Sequence, residues 1–235
     1  MSYLNKAIYG GDAESAEDAL PATEVLEARL ADVERKLAEV PAGDSHARTE
    51  ALLQRAALLL DLERGAEAWT TAGEAFELAR ADGEWEPAVQ AADQMYQADQ
   101  PESVPALAHA VWLGVTFPID PELSVAVLEH LVEAMPEGVD GAAVAAAAAR
   151  FVADVRAEGQ THEDLMFFTT QLLGQVARAH RGIEDQETFE TWVEYFELDN
   201  PDVFLPRLAQ VIDGLVAEDG WWIDRDALRA SLPES

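Results

Sequence analysis

The chain has 235 residues, with 46 Asp and Glu against 15 Lys and Arg, for a formal net charge of −31. No cysteine is present, which excludes disulfides, thiolate catalysis, zinc ribbons and iron–sulfur ligation. A hydrophobic fraction of 49% excludes global disorder, and the lack of any basic stripe argues against nucleic-acid binding.

Residues 1–20, with Gly10, Gly11 and a run of small and acidic residues, read as a flexible arm ahead of one all-helical domain over 21–235. The first residues lack a basic start followed by a long apolar run, so no signal peptide is expected. From Thr23 onward, Leu26, Leu30, Val33, Leu37 and Val40 recur at spacings of four and three, an a/d stripe on a helix. The helix over 23–40 is expected to pack as an edge helix on its own domain, or to self-associate along that stripe. Pro41 to Ser45 breaks the pattern. A second helix runs from about His46 to Glu63, with leucines around most of its circumference. The third carries Ala68, Trp69, Ala72, Ala75, Phe76 and Ala79 on one face and ends near Gly83, and the fourth starts near Trp85.

Start and stop signals continue to the C-terminus. Ser103 reads as a helix cap, and Asp120–Pro121 as a cap followed by proline at the first helical position. Asp140 opens an alanine-rich helix ending at Gly159. Thr161 to Asp164 has capping-box spacing, and Gly182 closes the helix that follows. Asp185 and Asn200–Pro201 begin two more helices, and Asp224 a short last one; Pro206 marks either a kink or a late start. No stretch alternates with the period of a strand. The fold class is all-α, about ten helices in antiparallel hairpins, because short loops place successive helices antiparallel.

Ala72, Phe76 and Ala79 have the small–aromatic–small spacing of the second helix of a tetratricopeptide repeat, and Ala56 and Leu59 fall at positions of its partner helix. Ala88, Ala92 and Met95 follow some 32 residues later, as the first helix of a next unit. Residues 53–118 thus resemble that family. Leu60 stands where a small residue is expected and Glu63 where an aromatic is expected, and no proline closes the first unit. The resemblance implies a helical-hairpin array that binds protein on a concave face lined by the first helix of each pair; an irregular bundle is the alternative.

Chemistry is sparsely signalled. None of His46, His109, His130, His162 and His180 has a Glu three residues before it, so the di-iron bundle signature is missing, as is the His-Glu-x-x-His zinc motif. His109 and His130 are expected as structural imidazoles on apolar helices, and His162 as part of a solvated capping segment. Asp219, Asp224 and Asp226 around Gly220 do not have the spacing of a calcium loop. No nucleophile elbow, phosphate loop or dinucleotide-binding glycine pattern occurs, so no catalytic residue, cofactor or metal is assigned. Trp221 and Trp222 are adjacent, so a regular helix or strand cannot turn both to one core. They are the candidate interaction residues, either exposed as an anchor or buried by a tail that folds back.

The expected function is a non-catalytic protein-interaction protein: a scaffold, adaptor or assembly chaperone whose partner is another protein. The rivals are an enzyme with carboxylates dispersed in sequence and a small-ligand or metal-binding regulator. No stretch is long and apolar enough for a membrane, so a soluble cytoplasmic protein is expected. Lysine is nearly absent (Lys6 and Lys36), a composition similar to cytoplasmic proteins of salt-accumulating microbes. On about 10,000 Å² of surface such a charge repels itself, and its screening length falls from ~30 Å at 0.01 M salt to ~3 Å at 1 M. The melting temperature should therefore rise as KCl goes from about 0.05 M to about 2 M; a flat or falling curve would remove the halophilic reading.

Overall fold

The computed structural model describes residues 16–136, 138–216 and 220–232, and among them are eleven helices and no strand. They are α1 (Ala16–Glu39), α2 (Ser45–Asp61), α3 (Gly65–Asp82), α4 (Trp85–Gln97), α5 (Ser103–Thr116), α6 (Pro121–Ala134), α7 (Asp140–Arg156), α8 (Gly159–Arg181), α9 (Gln186–Tyr195), α10 (Pro201–Val216) and α11 (Arg225–Ala230). Residues 1–15 of the expected arm lie outside the described chain, and α1 begins at Ala16 rather than near Thr23. No described helix is long and apolar enough to cross a membrane.

From α1 to α8 each helix packs on the next. Alternate helices α2, α4, α6 and α8 also touch one another and form one layer. Helices α3, α5 and α7 form the second layer, and α10 lies across α5 and α7. This is a stack of helical hairpins. Ala72, Phe76 and Ala79 of α3 are buried, as the repeat resemblance implies. Leu60, the departure from that pattern, packs with Leu58 and Leu62 beside a small cluster that holds Leu30 of α1 and Leu59 of α2. The a/d stripe of α1 is thereby turned onto its own neighbour, with Leu30 and Val33 buried.

Two helices sit at the centre. Every residue from Ala142 to Ala149 of α7 is buried, and α5 is buried from Pro105 to Gly114. Alanine lets α6, α8 and α10 approach α7 together, because it fills no space beyond its β-carbon. At Gly141 even a β-carbon would meet the Met135 sulfur at 3.1 Å and a Val211 methyl at 3.4 Å. The C-terminal end of α5 leaves orphan carbonyls in the interior. Arg156 of α7 reaches them, donating to the carbonyls of Gly114 and Val115, with Ser124 Oγ at 3.2 Å. Burial lowers the pKa of this guanidinium.

Most caps stand where the sequence places them. Asp120, Asp185 and Asp224 each accept a backbone N–H in the first turn of the following helix, and Gly83 and Gly182 close theirs in the left-handed region. Two differ. Ser103 is the first helical residue rather than the cap; its hydroxyl accepts from the Gln100 N–H and donates to the Met95 carbonyl, tying α5 to the end of α4. Thr161 lies inside α8, which already starts at Gly159. The tight turn there is made by Gly159 itself at φ +57°, so the helix needs no capping box two residues later. Helix α10 runs through Pro206 and begins at Pro201.

Phe76 is 1% exposed and meets the rings of His109 and Trp222 edge-on. Replacing it by Ala should open a cavity and cost roughly 3–5 kcal/mol in urea unfolding. A loss below about 1 kcal/mol would mean that this face of α3 is not part of the core.

Candidate functional site

Three places gather groups capable of chemistry or recognition. The first joins the C-terminal segment to the second layer. Residues 220–224 form no regular helix or strand, so the two adjacent indoles escape the alternation that would send them to opposite sides. Both turn inward and both are half-buried. Trp222 stacks on His109 at 4.3 Å between ring centroids and meets Trp69 and Phe76 edge-on. Trp221 tilts against His109 and Trp112, and the Arg225 guanidinium lies 3.9 Å over its ring. Asp213 of α10 binds both the Trp221 indole N–H and Arg225.

His109 is the centre of this cluster and is fully buried. Its Nδ1 is 2.8 Å from the Pro105 carbonyl, and its Nε2 is 2.8 Å from the backbone nitrogen of Trp222. A backbone N–H can only donate, so Nε2 accepts and Nδ1 carries the proton, which fixes a neutral tautomer. Burial pushes its pKa from 6.5 down to about 4, helped by the charge of Arg225 against the opposing pull of the Pro105 carbonyl. The expected structural role of His109 is what this geometry describes.

The second place ties α4 to α6. His130 Nδ1 lies 2.6 Å from Asp93 Oδ1, and Gln97 holds the other carboxylate oxygen at 2.6 Å. Burial pushes the His130 pKa down, but the hydrogen bond and charge of Asp93, with Glu133 and Glu129 behind them, outweigh it and hold the pKa above the ordinary 6.5. Tyr96 lies against the imidazole at 5.6 Å. This pair is 37 residues apart in sequence and carries no motif. The available signal was an acid at position 93 on the apolar face formed by Val89, Ala92 and Met95.

The third place is an open trough of about 940 Å³ between α1, α2 and one residue of α4. Val33 and Leu53 form its floor, Ala57 and Leu58 its side, and Val25, 51% exposed, one end. Arg29 and Lys36 stand on the α1 rim, with Glu50, Gln54 and Gln90 opposite.

The remaining sequence candidates are dispersed. His46 contacts Glu84, His162 contacts Asp154, and His180 contacts the Val139 carbonyl. Asp224 caps α11 and Asp226 faces Arg229, while Asp219 lies outside the described residues. Among the described residues no group of three or more His, Asp or Glu is placed to hold a metal ion. Comparison with protein-family models, with curated proteins and with solved structures finds no match for this chain.

The two interior histidines act on stability in opposite directions. The folded pKa of His109 is depressed, so its contribution is complete above pH 6.5 and is lost as pH falls from there through about 4. The folded pKa of His130 is raised, so its contribution is present below 6.5 and is lost as pH rises through that raised value. Between pH 6.5 and pH 5, His109 should cost about 2 kcal/mol, at about 1.4 kcal/mol per pH unit. Urea unfolding at both pH values should show a smaller acid loss in His109→Phe than in the parent chain. Equal losses would remove the assignment.

Proposed function

We propose that the protein is a non-catalytic interaction protein, a scaffold, adaptor or assembly chaperone, whose partner is another protein. The observation that carries this reading is the trough between α1, α2 and α4. Its floor is apolar, its rim is polar and charged, and it lies on the side of α2 and α4, the first helices of the two hairpins that resemble repeats. A channel of this kind suits an amphipathic helix, whose apolar stripe meets Leu53 and Val33 while its flanks reach Arg29 and Glu50. The half-exposed Val25 supports the same reading, since a large apolar side chain at the mouth of a groove gains from being covered. The assembly role and a salt-rich cytoplasm belong to this proposal together, because a strongly acidic surface keeps an adaptor dispersed where screening is strong.

The test is an affinity pull-down from native extract at high KCl, with the parent chain and an Ala57→Trp chain in parallel. Ala57 is partly exposed and lines the trough, so an indole there fills it. One stoichiometric protein is expected with the parent, reduced about tenfold or more by Ala57→Trp. Absence of any partner would sink the adaptor reading. A partner that Ala57→Trp retains would move the binding face away from the trough.

A further inference from the structure

Helix α1 uses its a/d stripe against α2, which leaves the opposite face to solvent. Glu24, Ala28, Ala31 and Arg35 fall on that face at spacings of four, three and four, and all are exposed. From either end the row reads charge, alanine, alanine, opposite charge. An antiparallel copy of the same helix sets Glu24 against Arg35 and Ala28 against Ala31, and a twofold axis repeats each contact. We propose that this face is a homodimer interface, occupied by α1 of a second copy, with the axis midway between Arg29 and Leu30.

Charge selects the occupant. A surface of one sign would satisfy Glu24 or Arg35 and repel the other; the antiparallel copy satisfies both, twice. Arg35 is free to exchange partners, because its present one, Asp32, is a neighbour on the same helix and the arginine side chain is 68% exposed. The alanines between the charged pairs let two helix axes come as close as about 8 Å, the near end of helix packing. The row borders the trough at Ala28, which lines both, whereas Glu24, Ala31 and Arg35 are not among the trough's lining residues. Each copy carries −31, so the long-range term opposes association and the dimer should strengthen as salt shortens the screening length. A single helix pair is small for an interface, so association is weak.

Sedimentation equilibrium of the full chain from about 10 to about 200 µM in about 2 M KCl should show a monomer–dimer equilibrium. Arg35→Glu, which opposes two carboxylates on each side, should raise the Kd about tenfold or more with the helical circular dichroism unchanged. The double variant Glu24→Arg/Arg35→Glu restores the complementary row and should restore the dimer. Because the chain has no cysteine, register is read directly: Ala28→Cys and Ala31→Cys chains should cross-link faster as a mixture than either does alone. A chain that stays monomeric across this range overturns the proposal, as does a dimer indifferent to Arg35→Glu or a mixture that cross-links no faster than its components.

Discussion

Burial of α5 and α7 on nearly every side is the constraint on which the other helices depend. A helix with neighbours all round leaves no place for an unpaired carboxylate, and in this acidic chain that forces a partition. Residues 103–119 and 141–153 contain no Asp or Glu, and they make up α5 and most of α7. The acids are displaced onto the helices and faces that surround them. Small side chains along α7 then set how near α6, α8 and α10 can come, and Arg156 satisfies the carbonyl end of α5. The cation is stabilised there by the negative end of the helix rather than by a carboxylate, even though carboxylates are the commonest side chains on this protein.

Interior polar groups follow a consistent logic. His109 is neutral because both ring nitrogens are committed, one to the Pro105 carbonyl and one to the Trp222 backbone. His130, a helix away, is drawn toward its charged form by Asp93. The difference lies in what each imidazole faces: a backbone donor fixes an acceptor nitrogen, and a carboxylate calls for a proton. The same residue type therefore serves as a neutral anchor for the C-terminal segment and as a carboxylate-bound tie between α4 and α6.

Much of the fold was legible in local chemistry. Asp120, Asp185 and Asp224 mark helix starts, and Gly83 and Gly182 mark ends, because these signals act within one turn. Ser103 and Thr161 misled for the converse reason: a hydroxyl near a helix start can also serve a tertiary contact or sit inside the first turn. The stripe of α1 was legible, and its packing on α2 was not, since periodicity describes a face without naming its neighbour. The Trp pair required knowing that residues 220–224 are irregular. The trough and the Asp93–His130 tie arise from helices far apart in sequence, and no spacing rule reaches across such a distance.

The docking of Trp222 on His109 joins positions 113 residues apart. From α1 to α8 nearly all packing is between neighbours, so by itself that part of the chain would behave as a row of units able to fray from either end. Closing a loop of this length costs more chain entropy than any single hairpin, but only slowly more as length grows. Once closed, the segment cannot leave without disturbing α3 and α5, through Trp222, and α10, through Trp221 and Arg225. The C-terminal segment thereby pins α3, α5 and α10 to one another, a cross-tie between helices that are not successive in the row.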